Sequence, residues 1–129
     1  MLSKPKNGFT KLTIQDFEFK ASYLTDVPND FLNAFIVSLR DDISTSIILD
    51  DKANGECIVI FNTYKNSIHV VHDDAYCLDK NCITFWDIDI CSLAKEFVKD
   101  IEENKSDWNW WLCNDESSNI DLTELKNIL

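Results

Sequence analysis

The chain has 129 residues, with 23 Asp and Glu against 12 Lys and Arg, for a formal charge of −11. That charge disfavours binding to nucleic acid or to an anionic membrane and favours a basic partner. Hydrophobic residues make up 45%, with eight Phe and four Trp and only two Gly and two Pro, which excludes a linker, a low-complexity segment or a disordered acidic tail.

The length fits one domain, spanning residues 1–129. In chain order, Leu12 and Ile14 alternate and the phase then shifts to Phe17 and Phe19, giving an early strand pair or one bulged strand. Thr25-Asp26-Val27-Pro28 starts a helix with proline in its first turn. Phe31, Leu32, Phe35, Ile36 and Leu39 form its apolar face, and it ends near Arg40-Asp41-Asp42.

Four strands follow. Ile43, Thr45, Ile47 and Leu49 alternate with polar residues, predicting a strand with one wet face. A turn over Asp51 to Gly55 leads into Cys57 to Phe61, which is apolar on both faces and reads as a central strand. Ile68 to His72 is the third strand. A turn over Leu78 to Asn81 precedes the fourth, Cys82 to Trp86.

The clearest helix comes next. Ile90, Leu93, Ala94, Phe97, Val98 and Ile101 share one face, with Asp89 as N-cap and Asn104 as the stop. A last helix begins at Asp121. Glu124 completes a capping box, and Ile120 and Leu125 occupy the staple positions. These elements predict an α+β domain, a mainly antiparallel β-meander with about three helices packed on it.

The chemistry-bearing residues are sparse. The five cysteines are odd in number and form no C-x-x-C pair, which points to reduced thiols. His69 and His72 form H-x-x-H near Cys77 and Cys82, but residues three apart on a strand face opposite ways, against a shared metal. Asp87-x-Asp89 could hold a divalent ion, but reads more simply as a strand end followed by a helix cap. No nucleophile signature or glycine-rich phosphate loop is present, so no catalytic residue, metal or cofactor is expected. The apolar runs are too short for a membrane span, and Met1 to Thr10 lacks the apolar core of an export signal; a cytoplasmic protein is expected.

Binding is the remaining class. Trp108, Trp110 and Trp111 sit beside Asp107; they fit the core between the last helices, or an anchor at an interface. Asp41-Asp42, Asp50-Asp51, Asp73-Asp74, Glu102-Glu103 and Asp115-Glu116 recur at element boundaries, and in a meander some of them converge.

Ser22-Tyr23-Leu24-Thr25-Asp26-Val27-Pro28 with Asp30-Phe31-Leu32-Asn33-Ala34, and Glu96-Phe97-Val98-Lys99-Asp100-Ile101 followed by Trp108-Asn109-Trp110, resemble stretches of small bacterial immunity proteins. These accompany polymorphic toxins, including those of contact-dependent growth inhibition. The resemblance implies a cytoplasmic, non-enzymatic chain that binds the C-terminal domain of a cognate toxin. Basic nuclease toxins would be met by charge from Asp41, Asp42, Asp73, Asp74, Glu102, Glu103 and Asp107, with an anchor from Trp108, Trp110 and Trp111. The rival readings are an acidic nucleic-acid mimic or phage antagonist, and a small metal-dependent hydrolase using Asp87, Asp89 and His72.

Overall fold

The computed structural model describes residues 1–51, 55–73, 80–111 and 119–129. Its elements are β1 (Phe9–Ile14), β2 (Phe17–Ser22), α1 (Val27–Asp41), β3 (Thr45–Asp51), β4 (Gly55–Asn62), β5 (Ser67–Asp73), β6 (Lys80–Phe85), α2 (Ile90–Glu103), α3 (Lys105–Trp108) and α4 (Thr123–Ile128). The fold is α+β, and β3 to β6 form an antiparallel meander in chain order.

The phase shift in the first strand region is a hairpin. Ile14 faces Phe17 across a two-residue loop, and Gln15 takes the positive φ of 52° that this turn requires. Just before β1, Gly8 sits at φ 78°; a Cβ there would lie 2.6 Å from a Tyr23 ring carbon. Glycine allows both the backbone twist and the close ring.

In the meander, Thr45, Phe61, Ile68 and Phe85 stand in one cross-strand row, and Ile47, Val59 and Val70 in the next. These two rows point to the inner face, which the hairpin and helices cover. Phe31 and Phe35 of α1 close on Phe61, with Phe35 stacked on it at 4.8 Å, and Phe97 of α2 packs against both α1 rings. Phe17 and Phe19 of the hairpin meet His72 at 6.3 and 5.4 Å. Thr45 Oγ1 donates to the Ala34 carbonyl and pairs with Ser38 Oγ at 2.6 Å, tying α1 to β3.

Helix α2 follows its sequence pattern. Asp89 caps it, accepting from the Cys91 N–H at 3.0 Å and the Ser92 hydroxyl at 2.8 Å. Helix α4 differs in detail. It starts at Thr123, whose N–H bonds Asp121 Oδ1 at 3.0 Å, and Glu124 turns away from the cap to pair with Arg40. A reciprocal capping box is therefore absent: a guanidinium attracts that carboxylate more strongly than a backbone N–H does. The single turn α3 was not legible in advance; it carries Trp108 into the core. The turns read at 51–55 and 78–81 include residues outside those described.

The first residues bind α2 directly. The Met1 ammonium lies 2.7 Å from Glu96 Oε1 and 3.1 Å from Asp100 Oδ2, and the Leu2 N–H donates to Asp100 Oδ2 at 2.9 Å. Burial pulls the amine's pKa down, but the two carboxylates outweigh it, so the amine titrates above its ordinary value. The unfolded amine titrates near 8; the stabilisation is complete below that pH and lost as pH rises through the folded value. Melting temperature is therefore expected to fall as pH rises above about 8. Asp100→Asn is expected to flatten that fall; identical profiles for both proteins would remove the ion pair as its cause.

Candidate functional site

The ten residues singled out from the sequence do not form one patch. Asp41 is held by its neighbour Arg40 through two hydrogen bonds of 3.0 and 2.9 Å, and its carboxyl titrates below the usual range, chiefly because of that contact. Arg40 also reaches Glu124 of α4 at 2.9 Å. On α4, Lys126 pairs with Glu102, while Glu103 lies 3.9 Å from Lys99 and Asp107 3.9 Å from Lys4. The ends of α1 and α2 thus meet across α4 in alternating charge. This surface carries carboxylates, but they are matched by cations in place, which leaves little field to attract a partner.

Asp42 lies elsewhere. It ends α1 in the left-handed conformation, φ 53°, and accepts from Thr63 Oγ1 at 2.7 Å. Asp73 is at the opposite end of the sheet, in register with Lys80, and Asp74 falls outside the described residues. The tryptophans divide. Trp108 and Trp111 are buried with ring centroids 5.3 Å apart, and the Trp111 Nε1–H donates to the Thr25 carbonyl at 2.8 Å. That burial excludes Trp108 and Trp111 as exposed anchors. Trp110 remains outside, 59% exposed.

The metal candidates separate as well. His69 and His72 point to opposite faces of the sheet: His72 lies among hairpin rings, whereas His69 Nδ1 is 3.0 Å from Thr84 Oγ1 and its ring meets Trp86 edge-on. The Asp89 carboxylate is occupied in capping, and its pKa is lowered first by the Ser92 hydroxyl. Cys77 falls outside the described residues. Among the described residues no three His, Cys, Asp or Glu side chains converge as a metal site. Among these residues, too, no helix is long and apolar enough to cross a membrane.

A different surface stands out. Directly opposed residues of an antiparallel sheet share a face. Ile48, Ile58, Val71 and Cys82 form one cross-strand row, and Ser46, Ile60, His69 and Thr84 the next. Both rows lie on the outer face, away from hairpin and helices, with Trp86 beside them against His69. Ile48 is 52% exposed and Trp86 58%; Ile58, Ile60 and Val71 are partly covered. Strand β4 is central, as its sequence predicts, but among the described residues only one of its two apolar faces is covered. The signal was present in the isoleucines at 48, 58 and 60, which a strand with a wet outer face does not need.

Charge is unevenly distributed around this face. Asp50 and Glu56 oppose each other in register at one end of it, and Asp87 follows Trp86 at the other. Neither Asp50, Glu56 nor Asp87 makes an ion pair among the described residues. Four of the eleven lysines lie on the opposite side, while Lys80 begins β6 in register with Asp73 at the Asp50–Glu56 end of the sheet. Lys4, Lys6, Lys11 and Lys20 line a groove of about 740 Å³ beside the hairpin that covers the inner face. Residues 1–22 hold those four lysines against Asp16 and Glu18, so the remaining residues carry −13.

In comparison with known proteins, no family model matches the chain, and no curated protein and no solved structure matches it significantly.

Proposed function

We propose that this chain is an immunity protein, acting in the cytoplasm by binding the C-terminal domain of a cognate toxin and blocking it without chemistry of its own. The observation that carries the reading is the charge of −11 on a packed domain, in which residues 1–22 carry +2 and the remainder −13. Such a molecule approaches a basic protein in a preferred orientation, and the shared field speeds encounter. A nuclease toxin fits best, because holding phosphates requires a cationic surface that an acidic protein can occupy. The sequence likeness to immunity proteins points the same way.

Co-expression tests it. The toxin domain encoded by the adjacent gene is induced alone or together with this chain, and growth is followed. Growth is expected to be restored by at least about tenfold in viable count, in keeping with an interface of nanomolar strength. Equal killing in both cultures would refute the function.

A further inference from the structure

We propose that the outer face of the β3–β6 sheet is the docking surface, and that its occupant is a basic protein which covers the apolar centre and sets cations against the carboxylates at its ends. This rests on the reading that the chain neutralises a basic toxin domain, and it names the surface that does so. The centre consists of Ile48, Ile58, Ile60 and Val71, with Trp86 leaning on His69. Isolated apolar residues on a surface need no explanation, but a contiguous group in two adjoining rows does. Trp86 has the character of an anchor: a large ring, 58% exposed, supported from below by a second ring at 6.2 Å.

The charges select the partner. Among the described residues Asp50, Glu56 and Asp87 stand at the margins without ion pairs, whereas Asp41, Glu102, Glu103 and Glu124 of the helical side are matched by Arg40, Lys99 and Lys126. The lysine groove lies across the molecule, behind the hairpin. A cationic protein therefore meets unpaired carboxylates at the sheet margins, whereas on the hairpin side, where Lys4 and Lys11 pair with Asp107 and Glu18, residues 1–22 still carry a net +2. Two copies of this chain placed sheet to sheet would set these unpaired margin carboxylates against one another in either direction, which opposes self-association there. Four strands about 4.8 Å apart, each some six residues long, span roughly 20 by 20 Å, about half the ~800 Å² per partner of a standard interface. The margins supply the rest, so the carboxylates must take part in the contact.

Cys82 provides a footprint. It is exposed in the same row as Val71, whereas Cys57 is buried and its thiol is pushed up to about 12. Only the first of these two should react readily with N-ethylmaleimide at neutral pH.

The test takes the full chain with the toxin domain of the adjacent gene as probe, using titration calorimetry and peptide mass spectrometry. Absence of binding by the unaltered chain overturns the proposed function and this surface with it. Where binding is found, labelling of Cys82 is expected to slow at least about tenfold in the complex, which requires no variant. Trp86→Ala and Ile48→Lys, at exposed positions, are each expected to raise Kd at least about thirtyfold, while Trp110→Ala, an equally exposed ring elsewhere, changes it less than about threefold. Unchanged Cys82 labelling, with Kd held by both sheet variants, overturns the surface and leaves the function standing. A free chain that sediments as a dimer, and that Ile48→Lys converts to a monomer, assigns the face to a second copy and also overturns the proposal.

Discussion

Phe35→Ala is expected to destabilise the protein by about 3–5 kcal/mol and to lower its melting temperature by about 10–20 °C. Phe35 is fully buried on α1, stacked on Phe61 of β4 and 5.4 Å from Phe97 of α2. Its ring is thus common to one helix, the central strand and the second helix. Alanine forfeits the transfer energy of the ring and leaves a cavity that three separate elements must shift to fill. The ring contacts add about 0.5–1.5 kcal/mol per pair beyond the buried area. Urea unfolding followed by circular dichroism measures the loss, and a change under about 1 kcal/mol would mean that these elements do not share one core.

The two buried tryptophans should respond differently to the same substitution. Trp111→Phe is expected to cost about 2–3 kcal/mol, because it shrinks the ring and leaves the Thr25 carbonyl without its donor. Trp108 is as deeply buried, yet its Nε1–H has no acceptor among the described residues. Phenylalanine at 108 removes an unsatisfied donor, and that gain offsets part of the lost packing. Trp108→Phe is therefore expected to cost at least about 1 kcal/mol less than Trp111→Phe. Trp111→Ala removes both packing and tether and should approach the Phe35→Ala loss, about 3–5 kcal/mol. Equal effects of the two phenylalanine variants in urea would show that the Thr25 bond contributes nothing net.

Local pattern made most of the architecture legible. The stripe from Ile90 to Ile101 and the cap at Asp89 define α2, and the alternation from Thr45 onward sets the inner rows of the meander. The candidate site was less accessible, for two reasons. Carboxylate pairs such as Glu102-Glu103 look available in sequence, but Glu102 is matched by Lys126, which only the fold brings near, as it brings Arg40 to Glu124, 84 positions away. Periodicity also reports that a strand is apolar on two faces without reporting whether a second layer exists. Ile58 and Ile60 mark a buried face in a doubly covered sheet and, among the described residues, a partly covered one here. Ile48, within a strand whose other side is filled, was the residue that distinguished the two cases.

The ties between the start and end of the chain bear on the order in which it can be assembled. Leu2 bonds Asp100, Thr25 bonds Trp111, and Arg40 bonds Glu124, whereas β3 to β6 pair only with their neighbours in sequence. As the polypeptide leaves the ribosome, the meander can form from adjacent hairpins. The first 41 residues meet their partners on α2, α3 and α4 only after residue 100 has emerged. Until then the aromatic face of α1 and the inner rows of the sheet lack the helix that later closes over them. Release of a chain cut short before α2 would therefore leave the inner face covered by the hairpin and α1 alone, a species prone to aggregate.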